Sequence, residues 1–214
     1  MTNAQIEKYI VDDLNESLKY LKPHLEQDRF LNSLYLNFKS FDFEVYKEKI
    51  ANEVMLNCEE WWVNPQKGIV LDEKLYAILF EYNTTNWSDI ESVSYGISKW
   101  ENRKSFAEYF DMGYNYDFAT EFYANPGFGL NYFKCLEILD DDSKLEANYR
   151  DLKYLDIDGF DELFRYIKLK GTLEIHYVFM KLLTENVFEK INCLNDFLFI
   201  IGEHNGNTIP ILIK

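Results

Sequence analysis

The stretch Phe197-Leu198-Phe199-Ile200-Ile201-Gly202-Glu203-His204-Asn205-Gly206-Asn207-Thr208-Ile209-Pro210-Ile211-Leu212-Ile213 reads as two strands joined by a turn. Asn-Gly is the preferred centre of a two-residue type I′ hairpin, because both central positions need positive φ. With that turn, His204 faces Asn207 as a hydrogen-bonded pair and Ile201 faces Pro210 as a non-hydrogen-bonded pair. Pro210 has no N–H to give a neighbour, so the last strand is expected at a sheet edge or with one gap in its ladder. Phe197 to Ile201 is apolar at every position, and a strand of that kind is expected to be covered on both faces.

Upstream of this hairpin, Lys74 to Tyr82 is dense in Leu, Tyr, Ile and Phe. Val93, Tyr95 and Ile97 alternate with small polar residues, and the polar segment Asn83 to Asp89 joins the two. This is the expected antiparallel pair in the middle of the chain. Leu34, Leu36 and Phe38 alternate with Tyr35, Asn37 and Lys39, the two-residue period of a further strand.

Helical signals fill most of the remainder. Ile6, Tyr9, Ile10, Leu14, Leu18 and Leu21 recur at helical spacing behind a Thr2/Gln5 capping box, which predicts a helix from Asn3 to Lys22 that Pro23 interrupts. Asp42 is placed to cap a second helix reaching Glu59, and capping boxes at Ser98/Glu101 and Ser143/Glu146 predict two more. Asn125-Pro126-Gly127 reads as a turn. Asp158 is expected to cap a helix that stops near Gly171, with another starting at Thr172. Strands at both ends of a helix-rich middle give an α+β fold, with a mostly antiparallel sheet of about five strands packed against several helices. No low-complexity linker divides the chain, so residues 1–214 are expected to form one domain, with room for a helical subdomain near 99–191.

Charge narrows the function. The chain carries 37 acids against 22 bases, a formal net charge of −15, which opposes approach to nucleic acid or to an anionic membrane. Fourteen Asp or Glu against four Lys or Arg lie between Ser105 and Glu162, including Asp140-Asp141-Asp142. Within Ser105 to Phe133 there are eleven aromatic residues and no Lys or Arg. Rings supply stiff contact area and carboxylates supply charge, so this composition suits a cationic partner.

Motifs for chemistry are sparse. His24, His176 and His204 are isolated in sequence; His176 on an apolar helix reads as a core residue and His204 as an exposed turn residue. Asp156-Ile157-Asp158-Gly159 has its glycine two positions too early for a calcium loop. Cys58, Cys135 and Cys193 lie in apolar contexts without zinc spacing and read as buried thiols of a reducing compartment. Nothing in the sequence calls for a cofactor. Glu59-Glu60-Trp61-Trp62, with Trp87 and Trp100, is an inventory that a carbohydrate-cleaving site also uses, because indoles stack on sugars and paired acids move protons. The N-terminus has no signal-peptide pattern and no apolar run is long enough for a bilayer, so the cytoplasm is the expected location.

In general character, the acidic, aromatic-rich Ser105 to Glu162 region resembles the immunity proteins that bacteria use to neutralise polymorphic or contact-delivered toxins. The resemblance implies inhibition by binding a basic protein partner, with no role for nucleic acid or membrane. Under it, Glu108, Asp111, Tyr114, Tyr116, Asp117, Asp140, Asp141 and Asp142 are the expected contact residues. A duplex mimic, whose carboxylates imitate phosphates along Glu137 to Glu162, and a carbohydrate enzyme working through Glu59 or Glu60 are the alternatives.

Overall fold

A computed structural model describes residues 1–63, 74–97, 125–141, 157–204, 206 and 208–214. Three helices open the chain: α1 (Asn3–Gln27), α2 (Arg29–Lys39) and α3 (Phe43–Asn57), the last running into a π-helical turn at Cys58–Trp62. Then come β1 (Leu75–Tyr82), β2 (Glu91–Ile97), β3 (Asn125–Gly129), a 3₁₀ helix (Asn131–Asp140), α4 (Phe160–Thr184), β4 (Cys193–Glu203) and β5 (Thr208–Ile213). The strands form a single mixed sheet in the order β3-β2-β1-β4-β5, antiparallel except where β1 runs parallel to β4. The α+β architecture read from the sequence is therefore present, with the C-terminal hairpin at one edge. Near 99–191 the chain supplies β3 to this sheet as well as α4.

Several local readings are corrected. Residues 29–39 are helical, not a strand: Leu31, Leu34 and Phe38 line the buried face while Leu36 is 58% exposed. Positions 34 and 38 satisfy both the two-residue period and the i, i+4 helical one, and Asp28, whose Oδ1 accepts the Leu31 N–H at 2.9 Å, starts the helix. The Thr2/Gln5 capping box forms as expected, but α1 continues through Pro23 to Gln27 because Leu21 and Leu25 both pack on the core. Asn125-Pro126-Gly127 is an edge strand rather than a turn, a place where a proline costs no ladder bond. The predicted capping boxes at Ser98 and Ser143 lie outside the described residues.

One continuous helix, α4, replaces the two expected around Gly171. Its cap is Gly159 at φ +83°, not Asp158, and an added Cβ there would sit 2.5 Å from His24. Asp158 instead places a carboxylate oxygen 3.4 Å from His24 Nδ1, and farther along α1 the Arg165–Asp13 ion pair ties α4 to it.

The main face of the sheet carries an aromatic core. Phe80 and Phe199 stack with centroids 6.2 Å apart, and Phe179 of α4 and Phe188 close on Phe199 at 5.1 and 4.6 Å. The opposite face buries Ala77, Leu79, Ile97, Leu198 and Ile200. All five residues from Phe197 to Ile201 are buried, as an all-apolar strand requires. The hairpin register differs by one residue from the expected one: Pro210 lies opposite Ile200 and Ile201 opposite Ile209. An odd number of residues thus lies between the paired Gly202 and Thr208, so the connection is not a two-residue turn, and a bulge between Phe199 and Ile200 shifts the pairing back.

Both outer strands have their main-chain groups taken by side chains. On β5, Asn3 Nδ2 donates to Ile213 O and Asn3 Oδ1 accepts from Ile213 N, each at 2.8 Å, and His176 Nδ1 lies 2.6 Å from Ile211 O. On β3, one stripe of α3 does the same work. Tyr46 Oη donates to Gly129 O at 3.2 Å, Glu53 accepts from Gly129 N at 2.9 Å, and Asn57 Nδ2 donates to Gly127 O at 2.5 Å. A sheet edge covered in this way offers little template for an incoming strand.

Candidate functional site

Acids from two chain segments about fifty residues apart meet at one corner. Asp140 ends the 3₁₀ helix, and its two carboxylate oxygens accept the backbone N–H groups of Trp87 at 3.2 Å and Ser88 at 3.1 Å. Asn86 Oδ1 takes the Ser88 hydroxyl at 2.7 Å, which shapes the turn. The Trp87 indole is buried against Phe133 and Phe164, with centroids 6.0 and 5.6 Å away. The β1–β2 connection is thereby pinned by an indole on the inside and a carboxylate on the outside. Asp89 follows the pinned amides directly, and Asp141 follows Asp140. Neither 75–97 nor 135–141 contains a Lys or Arg. Among the described residues as a whole, 26 acids stand against 15 bases, and 17 of those acids but 11 of the bases are exposed.

Asp140 and Asp141 are therefore placed together at this corner. Glu108, Asp111, Tyr114, Tyr116, Asp117 and Asp142 lie outside the described residues. Of the eleven rings in Ser105 to Phe133, Phe128, Tyr132 and Phe133 are described, and all three are core, at most 3% exposed. Of the indoles, Trp62 and Trp87 behave likewise, Trp61 is half-buried and Trp100 lies outside the described residues. Trp62 is 1% exposed and its N–H donates to Ser94 Oγ at 3.0 Å and Pro126 O at 3.3 Å; Trp87 is 4% exposed. Neither can stack on a sugar, which removes them from the carbohydrate inventory and leaves the half-buried Trp61 beside the exposed Glu59 and Glu60 on the π-helical turn.

A second polar arrangement escaped the sequence reading. Because β1 and β4 are parallel, their carboxyl ends lie side by side, with Glu81 opposite Gly202 and Tyr82 opposite Glu203. The His204 N–H donates to Tyr82 O at 2.7 Å, and His204 Nδ1 hydrogen-bonds Glu81 Oε1. Glu81 is 8% exposed, and burial together with this carboxylate raises the Tyr95 phenol on the adjacent strand. Glu203, on the other face, accepts from Thr84 Oγ1 at 2.6 Å. Lys168 of α4 is held below the ordinary lysine value by burial, against the pull of Glu203. The signal available in the sequence was a lone acid inside the apolar run 75–82, but its partner is set only by the parallel pairing.

The buried thiols are poor nucleophiles. Burial pushes Cys58 up to about 11 and Cys135 up to about 12. His176 sits in the core as its apolar helix suggested, 1% exposed. Among the described residues no group of three or more His, Cys, Asp or Glu side chains is arranged to hold a metal ion, and no helix is long and apolar enough to cross a membrane. Compared with known proteins, the chain matches no family model, no curated relative and no solved structure.

Proposed function

We propose that this chain is an acidic binding protein that neutralises a basic protein partner, in the manner of the immunity proteins it resembles in character. The observation that carries the reading is the Asp140 anchor. Both of its oxygens hold backbone amides of a segment fifty residues earlier, so 75–97 and 135–141, neither of which contains a Lys or Arg, bring their acids to one corner. Fixed like charges cost stability through mutual repulsion, and a complementary cationic surface relieves that cost while steering encounter. The closed edges of β3 and β5 favour recognition through side chains over addition of a partner strand.

The test is capture of basic proteins from the source cell on the immobilised chain, followed by association kinetics with the captured protein. Asp89→Asn with Asp141→Asn is expected to slow association several-fold at low salt, and the difference is expected to shrink as salt rises. An association rate independent of both salt and these substitutions excludes the proposal. Displacement of the partner by duplex DNA transfers the assignment to a nucleic-acid mimic.

A further inference from the structure

A cleft of about 640 Å³ opens between the end of α2, the start of α3 and the 3₁₀ helix. That volume lies in the range of small-molecule sites, roughly 300–1,000 Å³. Its walls carry both signs of charge: Lys49 and Lys134 against Asp42 and Glu137. These groups do not neutralise one another. Lys134 and Glu137 are three residues apart on the 3₁₀ helix and so share a side, yet neither forms an ion pair among the described residues. Asp42 uses one oxygen to accept the Glu44 and Val45 N–H groups at 3.0 and 3.1 Å, and among the described residues its other oxygen has no hydrogen bond. Lys49 donates to Asn131 Oδ1 at 2.7 Å and pairs with Glu53 Oε1 at 3.4 Å, which holds its ammonium at the rim with its charge already met.

An anion entering this cleft meets two carboxylates, and a cation meets two ammonium groups. A ligand carrying both charges can pair with Lys134 on one side and with Glu137 and Asp42 on the other. Phe41 and Val45, the latter 63% exposed, supply an apolar wall beside them. We propose that the cleft binds a small zwitterion with an apolar body, the chemistry of a free α-amino acid such as phenylalanine. Its carboxylate pairs with Lys134, its ammonium with Glu137 at the Asp42 side of the cleft, and its side chain lies on Phe41 and Val45.

The test is an amide-resolved NMR titration of the full chain with L-phenylalanine, N-acetyl-L-phenylalanine and L-phenylalaninamide. Phenylalanine is expected to give saturable shifts at Val45, Lys134 and Glu137. Each derivative, lacking one charge, is expected to bind roughly tenfold more weakly, the loss of one charge-assisted contact. Lys134→Gln is expected to weaken phenylalanine but not the amide, and Glu137→Gln to weaken phenylalanine but not the N-acetyl form. Both side chains are exposed, so both variants keep the fold. Equal binding of the three compounds, or no saturable shift at these amides up to the solubility limit of phenylalanine, overturns the proposal. The readout involves no protein partner, so it stands or falls separately from the acidic corner.

Discussion

The ring of Tyr132 occupies the space beside Gly171 that any other residue of α4 would fill: a Cβ there would lie 2.3 Å from Tyr132 Cζ. This contact explains why a glycine sits in the middle of a 25-residue helix. It lets the 3₁₀ helix close on α4, with Tyr132 also meeting Tyr46 edge-on at 5.6 Å. The Tyr132 hydroxyl is buried there without a hydrogen-bond partner among the described residues.

Two substitutions at this contact are expected to act in opposite directions. Gly171→Ala gains about 1 kcal/mol of helix propensity but forces the ring aside, an overpacking cost of roughly 1–3 kcal/mol with more where the neighbours cannot move. Net destabilisation is expected in a urea unfolding series. Tyr132→Phe removes an unsatisfied buried hydroxyl and is expected to stabilise by about 1 kcal/mol. A raised midpoint for Gly171→Ala would show that the ring yields freely.

At the β5 edge, Asn3→Ala deletes both contacts to the Ile213 main chain. The expected loss is about 1–2 kcal/mol by denaturant midpoint, the net value of two partly buried hydrogen bonds. Asn3→Asp keeps an acceptor for Ile213 N but sets a carboxylate against Ile213 O, so it is expected to rescue no more than part of the loss.

His176 gives a pH dependence of known direction. Burial lowers its pKa below the ordinary 6.5, outweighing the opposing hydrogen bond to Ile211 O and the charge of Glu7. Above the unfolded value the ring is neutral in both states and its contribution is complete. As pH falls through 6.5 the unfolded chain takes up the proton first, and stability drops until the depressed folded value is passed. The loss amounts to about 1.4 kcal/mol for each pH unit of depression. Relative to His176→Gln, the parent is expected to lose urea stability between pH 7 and 5; parallel curves for the two proteins would contradict this.

Thiol chemistry separates the three cysteines. Cys58 and Cys135 are buried with strongly raised pKa values, whereas Cys193 is half-buried with Lys214 Nζ 3.5 Å from its sulfur. A thiol reagent at pH 8 is expected to label Cys193 alone in the native protein and all three after denaturation. Prompt native labelling of Cys58 or Cys135 would mean that the core opens readily around them.

Local chemistry was legible in the residues themselves. The Thr2/Gln5 box starts α1, the alternation of Val93, Tyr95 and Ile97 builds β2, and the unbroken apolar run Phe197 to Ile201 ends up buried on both faces. Each depends on neighbours a few positions away, where period and capping decide. Of the expected site, the composition pointed to Asp140 and Asp141, but not to the role of Asp140 in holding two amides of the β1–β2 connection.

Contacts between distant segments decided the rest. Leu34 and Phe38 fit a strand and a helix equally, and the burial of Leu31 beside them settles the helix. Gly171 looks like a helix end until Tyr132 is placed against it. Glu81 and His204, 123 positions apart, meet because β1 and β4 pair in parallel, and no local pattern encodes which strands become neighbours. By itself the sequence determined the periodicities, the caps and the net charge. The tertiary structure alone decided strand order, hairpin register and which carboxylates share a surface, because those follow from close packing of side chains far apart in the chain.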